Sequence, residues 1–417
     1  MLKKKNLLFG ENSKINQILC AILINLPVIS YGASIGWMSP MSLLLQSKDS
    51  PKGVPLTDTE ISWMAAVPYL ICIPANTVIA YFVDKYGRKL ALILVSLAGA
   101  ASWTLLLVSL DIWALIIARA LVGITMSGCY IICPIYTKEI SEDSIRGALG
   151  CFIILFHTIG NLLLYVMGDL LNYYQILWAC LAVPIIHLSL FVFMPDSPSY
   201  LVKTGKVERA TKAIAWLRCK SESDNVVQEE INLISEEHKK DSEANQFFLK
   251  TIFTDKILFK AFQIAMISTL AREVCGAIPV LNFAGEIFTL ASSDNKGLVL
   301  SPNQQAMLLG AVQVVGSIIA SGLVEKCGRK YRGTVMATAM CGSSLSDFLQ
   351  LLFFKPLANS IGIHVAFYFF GLVCLFMAVY VIIVIPETRA RTLEDIYQDL
   401  GKKKIPEETC NKEVTRV

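Results

Sequence analysis

Ten stretches of this chain stay apolar for about twenty residues or more, and no other feature limits its folding so strongly. A helix needs roughly 20 apolar residues to cross the hydrocarbon core of a bilayer. Such stretches lie near 16–38, 60–83, 90–110, 112–135, 148–168, 174–195, 257–288, 304–324, 334–354 and 362–386. Over the 417 residues 54% are hydrophobic and only 17% are charged, a balance that a soluble domain of this length would struggle to keep in solution. The sequence describes an all-α membrane protein of about ten transmembrane helices.

Loop charges orient it, because Lys and Arg accumulate on the cytoplasmic side. With Lys3, Lys4 and Lys5 inside, the outer loops hold only Lys48, Lys52, Lys296 and Lys355 of the 37 Lys and Arg residues. Both termini are then expected in the cytoplasm of a cell with this chain in its plasma membrane. The first span is too long for a signal peptide and lacks a small-residue cleavage site, so it reads as a retained helix. Most of the twelve Cys fall inside spans without paired spacing, which fits packing and not zinc or disulfides. No Asn-x-Ser/Thr acceptor occurs, so N-glycosylation is not expected. Nothing points to a metal, a cofactor or nucleic acid, and no nucleophile, base and orienting acid fall together as an enzyme would need.

Residues 196–256 break the apolar rhythm with Lys, Glu, Ser and Asp. Within them "ERATKAIAWLR" (208–218) sets Ala210, Ile214 and Leu217 on one stripe of a helix. This segment is a cytoplasmic linker. It separates a six-helix half (1–195) from a shorter half of about four helices (257–390), which is followed by a tail (391–417).

The hairpin "DKYGRK" (84–89) follows the second span, and "EKCGRK" (325–330) follows the second span after the linker. Each copy occupies the same place in its own half, as parallel repeats joined by a linker require. Gly87 and Gly328 permit a tight turn, Arg88 and Arg329 carry guanidinium forks, and Asp84 and Glu325 are acceptors at helix ends.

These residues resemble the hairpin motif of the major facilitator superfamily. "PIYTKEISEDSIRG" (134–147), "PDSPSYL" (195–201) and "PETRARTLEDI" (386–396) are similar to signatures of its sugar porter family, and "GWMSP" (36–40) further resembles insect facilitated trehalose and glucose transporters. The resemblance implies a two-half helical bundle that rocks around a central sugar site. It also implies a cytoplasmic gate of Asp84, Arg88, Glu139 and Arg146 in the first half and Glu325, Arg329 and Glu387 in the second. Asp196 belongs to a signature that contacts the gate, and Ser199 stands where the family has Arg.

The implied site is altered. Where the family has two Gln and an Asn in span seven, this chain has Arg272, Glu273 and Ile278, and Ile154 stands at a position that is commonly Gln. The candidate substrate-contacting residues are Gln313, Arg272, Glu273 and Asn282. Arg272 is also a candidate to pair with Glu273 or Asp347, since an intramembrane charge demands a partner. Arg119 in span four is read either as an outer-vestibule residue or as one snorkelling to the headgroups. Span one carries no acid of the kind proton-coupled relatives use, and His157 reads as a packing residue, which favours facilitated diffusion.

Sugar porters have twelve spans. Here "TVMATAMCGSS" (334–344) is similar to the family's ninth helix, while 345–370 resembles the end of its eleventh running into its twelfth. The splice falls near Ser343–Asp347. Two functions remain open: a facilitative transporter of a sugar such as glucose or trehalose, or a transport-deficient shortened variant acting as a sensor or regulatory partner. The expected partners are the sugar, the lipid bilayer and other membrane transporters.

Overall fold

The computed structural model describes residues 14–244, 274–294, 301–324, 347–352 and 362–384, with single positions between 259 and 270 and at Phe354. Among these, six helical segments are long and apolar enough to cross a membrane: Ile15–Gln46, Asp58–Tyr86, Arg88–Val108, Ile112–Ile140, Asp143–Leu170 and Tyr173–Phe191. They match the first six apolar runs one for one.

The first segment is α1 (Ile15–Gly36) continued beyond Trp37 by α2 (Met38–Gln46), so it outruns the apolar stretch by two turns. Helix α3 (Asp58–Tyr86) opens on a capping box: Thr57 Oγ1 accepts from the Glu60 N–H at 3.3 Å, and the Thr57 N–H donates to Glu60 Oε2 at 2.8 Å. It stops at Gly87, whose φ of +95° favours glycine. A Cβ there would also lie 2.6 Å from Tyr200 and 3.0 Å from Asp196. Helix α4 (Arg88–Val108) starts at once, followed by α5 (Ile112–Ile140), the short α6 (Asp143–Gly150), α7 (Phe152–Leu170) and α8 (Tyr173–Phe191).

Close backbone approach holds this half together. Helix α1 crosses α7 where a Cβ on Gly32 would fall onto the His157 carbonyl and one on Gly160 onto the Ile29 carbonyl. Small residues at such crossings let backbones touch, which is how helices associate where lipid removes the hydrophobic drive. Helix α5 packs against α3, α4 and α1, while α8 packs against α4 and α1.

The linker folds as α9 (Pro198–Lys203), α10 (Val207–Arg218) and α11 (Asn225–Ala244). Ala210 and Ile214 are buried with Leu201, Val227 and Ile231 in a small core of their own, while Leu217 joins the main core. The stripe read from sequence is thus the buried face.

Beyond the linker, span seven departs from the continuous helix expected over 257–288. Gly276 is left-handed at φ +84°, α12 (Ala277–Asn282) is only six residues long, and α13 (Ala284–Asp294) follows after Phe283. The sequence carries the cause, a glycine and then Pro279 within four residues. Helix α14 (Pro302–Val324) runs antiparallel to α7 and packs along it, and α15 (Ile363–Val384) ends the described chain. The short helical stretch at 347–352 meets the first half through Phe348, whose ring lies 6.2 Å from that of Trp63 on α3.

Candidate functional site

The hairpin end of the first half holds a dense polar cluster. Arg88 grips Glu139 with two hydrogen bonds, Nε to Oε2 at 3.0 Å and Nη2 to Oε1 at 2.9 Å, and gives a third to the Val83 carbonyl at 3.2 Å. The two side chains are 9% and 13% exposed, so this fork-to-fork pair is largely desolvated and geometrically specific. Ser197 donates its hydroxyl to Glu139 Oε2 and also caps α9. Asp196 accepts from the Lys89 N–H at 3.3 Å and the Ser197 N–H at 2.8 Å. Tyr200 donates to the Lys85 carbonyl at 3.1 Å and sets its ring 5.7 Å from the Arg88 guanidinium. Asp84 stands at the rim, 4.0 Å from Arg88 and 3.9 Å from Lys203.

Arg146 lies elsewhere. It pairs with Asp143 one turn earlier and donates to the Ser141 carbonyl at 3.0 Å; Glu139 is held by Arg88 and Ser197 instead. Sequence reading also passed over Arg218 at the end of α10. It takes Glu230 in a bidentate grip at 3.0 and 2.6 Å and donates to the Ile140 carbonyl at 2.9 Å, fastening the linker to α5.

Arg119 does not snorkel. It is 1% exposed, with Nε donating to the Met64 carbonyl at 2.9 Å and Nη1 to the Ser34 carbonyl at 2.6 Å. The Met64 carbonyl would ordinarily receive the N–H of residue 68, but that residue is Pro68 and has none. Arg119 fills the vacancy and ties α5 to α3 and α1, one way a proline is accommodated inside a membrane helix.

A second polar set lies at the seam between the halves. Midway along α7, Asn161 Nδ2 donates to Gln313 Oε1 on α14 at 3.3 Å. One turn toward the hairpin end the Thr158 and Ser317 hydroxyls are 3.2 Å apart, and at the far end Asn303 donates to Asp169 at 3.2 Å. Tyr165 donates to the Leu281 carbonyl at 2.9 Å, and Gly285 to the Ser39 hydroxyl at 2.9 Å. Asn282 is fully buried; its Nδ2 serves the Ile278 carbonyl at 3.0 Å. Among the described residues, Trp37 Nε1 is buried without a hydrogen-bond partner.

Of the sequence candidates, the structure gathers Arg88 and Glu139 at the hairpin end and Gln313 and Asn282 at the seam. Arg272, Glu273, Glu325, Arg329 and Glu387 lie outside the described residues, and so does any pairing of Arg272 with Asp347. Asp347 is itself buried. Ile154, half exposed, continues the α7 stripe of Thr158 and Tyr165. His157 stacks on Tyr31 at 5.0 Å. Asn161 was missed although its signal was present: an amide inside an apolar run.

A family model described as "Sugar (and other) transporter" matches residues 19–332 and 330–400. The chain belongs to that family. Its match comes in two pieces that meet on the N-terminal side of the expected splice at Ser343–Asp347. Among its relatives, the human "Solute carrier family 2, facilitated glucose transporter member 6" is 28% identical over 78% of the chain and 62% of its own length. The chain therefore spans about three fifths of that protein. The "Facilitated trehalose transporter Tret1" of Polypedilum vanderplanki is 25% identical over 91% of the chain and 87% of its own length. The inward-open conformation of the xylose transporter XylE from E. coli has the same fold: the TM-score is 0.67 at 17% identity, covering 92% of this chain and 99% of that one. Membership of that family makes this a multi-pass protein of major-facilitator type, in a family of carriers and not of enzymes.

Proposed function

We propose that the chain is a facilitative carrier, a uniporter that moves a sugar such as glucose or trehalose across the plasma membrane by alternating access, with both termini in the cytoplasm. The observation that carries this reading is the amide pair Asn161–Gln313, one residue from each half, at mid-depth in the seam. Amides offer sugar hydroxyls both donor and acceptor partners without the desolvation cost of a charge. Rocking the halves apart must break that contact, and a sugar between them replaces it. The Arg88–Glu139 cluster at the hairpin end would stiffen the first half as a rigid body. Relatives named as glucose and trehalose transporters support the substrate class.

The test is uptake of labelled glucose and trehalose into proteoliposomes containing the purified chain, without an ion gradient. Saturable uptake that Gln313→Leu weakens at least about tenfold is expected. Absence of saturable uptake of either sugar defeats the proposal.

A further inference from the structure

A cavity of about 520 Å³ opens at the end of the bundle opposite Gly87, a volume within the range of small-molecule sites. Pro40 on α2, Asp49 and Pro51 in the loop after it, Leu171 and Asn172 in the turn from α7 to α8, and Asn303 on α14 line it, so both halves contribute walls. Its lining also takes in Gly168, seven residues or about 10 Å along α7 from Asn161. The first-half wall is held by the backbone. A Cβ on Gly168 would lie 2.8 Å from Pro40, so α7 rests directly on α2 here. The loop after α2 folds back on itself: the Gly53 N–H donates to the Ser50 carbonyl at 2.8 Å, the Leu56 N–H to the Leu45 carbonyl at 2.9 Å, and the Asp49 N–H to the Ser47 hydroxyl at 3.2 Å. A wall fixed in this way spends little ordering entropy when a ligand arrives.

The lining selects the ligand. Among the described residues no Lys, Arg or His lines the cavity, so nothing there neutralises an anion. Asp49 is the one acid of the lining, and no group of three acidic, Cys or His side chains gathers among the described residues to hold a metal. What the walls offer is apolar surface from Pro40, Pro51 and Leu171 beside amide donors and carboxylate and amide acceptors. A neutral polyol matches that mixture, because its hydroxyls both donate and accept while its C–H faces lie on apolar surface.

We propose that this cavity is a second sugar site at the outer mouth of the carrier, separate from the one at Asn161 and Gln313. The inference rests on the sugar-carrier reading for the ligand class and for which end faces out. Asn303 reaches the cavity across the seam and donates to Asp169 at 3.2 Å, so the site is whole only while the two halves meet at this end. A sugar held there stabilises that closed form.

The test is protection of Leu171→Cys in proteoliposomes, with Pro51→Cys as a second reporter, against a membrane-impermeant maleimide added outside. Mass spectrometry scores labelling at that position with glucose or trehalose present. Labelling is expected to slow at least about threefold as either sugar fills the site. Asp49→Ala, a change in a surface loop, should raise the half-protecting concentration about three- to tenfold. Gln313→Leu should leave that concentration unchanged while it weakens uptake. Protection that disappears in Gln313→Leu and is untouched by Asp49→Ala would come from the central site alone and overturns the second one. No protection at either reporter with saturable uptake intact overturns the second site and spares the carrier reading; absence of both protection and uptake overturns both.

Discussion

Helix α8 and helix α15 each close their half of the chain, and they are packed very differently. Helix α8 buries Tyr173, Ile176, Leu177, Cys180, Leu181, Pro184, His187 and Phe191 against its neighbours. Among the described side chains of α15 only Ala366 and Phe370 are buried, while Leu372, Leu375 and Phe376 are each about two thirds exposed. The contrast extends from the helices to their ends. In the first half the repeated hairpin is locked by a desolvated ion pair whose acid, Glu139, comes from α5, the fourth span. If the splice expected from resemblance to sugar porters holds, the second half lacks the helix that would supply the equivalent acid. A duplicated motif is therefore only half of a device; the other half comes from a helix that the motif's own sequence does not encode.

The largest expected effect follows from this. Glu139→Ala strands the Arg88 guanidinium, 9% exposed, which should cost about 3–5 kcal/mol and appear as a lower Tm of the detergent-solubilised protein. Arg329, its counterpart in the second hairpin, should be far less sensitive: Arg329→Ala is expected to cost about 1 kcal/mol or less. Equal losses at the two positions would mean that the second half has a buried pair of its own, and the contrast would be gone.

Next in size is Arg119. Arg119→Leu leaves the Ser34 and Met64 carbonyls unpaired in a buried place, which should cost about 2–4 kcal/mol. If the Met64 carbonyl is free because Pro68 lacks an N–H, Pro68→Ala returns the missing donor. In that background the cost of Arg119→Leu should fall by about 1 kcal/mol, measured by the same unfolding assay. An unchanged cost would show that Arg119 serves something other than the gap left by the proline.

The two halves also predict different tolerance to bulk. Gly160→Val drives a side chain into the Ile29 carbonyl where α7 crosses α1, and overpacking of this kind costs about 1–3 kcal/mol. Gly371 on α15 has open space around it, so Gly371→Leu should stay within about 0.5 kcal/mol. If Gly371→Leu were as harmful as Gly160→Val, α15 would have a tightly packed neighbour in the membrane.

What the sequence made legible follows the same division. The first six spans could be read because bilayer thickness sets their length, and the hairpin because a tight turn needs Gly87. Arg88 and Glu139 came from resemblance, since fifty-one residues separate them and no local pattern joins them. The acceptors of Arg119 are main-chain carbonyls, which leave no mark on side-chain chemistry, although Pro68 did announce an orphan carbonyl four residues before it. The break in span seven was also written, in Gly276 and Pro279, but average hydropathy over a window hides it.

The smallest effect is expected at Arg146. Resemblance placed it in the gate, where its loss would shift the carrier toward an inward-open state. The structure gives it a nearer partner, Asp143, three residues before it and 82% exposed. A pair one turn apart on a helix whose acid is open to solvent is worth about 0–1 kcal/mol, because water and salt screen it and both side chains lose freedom in forming it. Glu139 meanwhile has its oxygens taken by Arg88 and Ser197, which leaves, among the described residues, no gate contact for Arg146→Ala to break. Cysteine accessibility at Ile154→Cys, on the seam face of α7, should therefore rise by less than about twofold in the Arg146→Ala background, since a bias of a fraction of a kcal/mol barely moves a two-state population. In Glu139→Ala the same probe should respond strongly. A large rise with Arg146→Ala would mean that the arginine leaves Asp143 during the cycle and joins the gate in another state, so that the hairpin end of the first half is less rigid than its hydrogen bonds make it here.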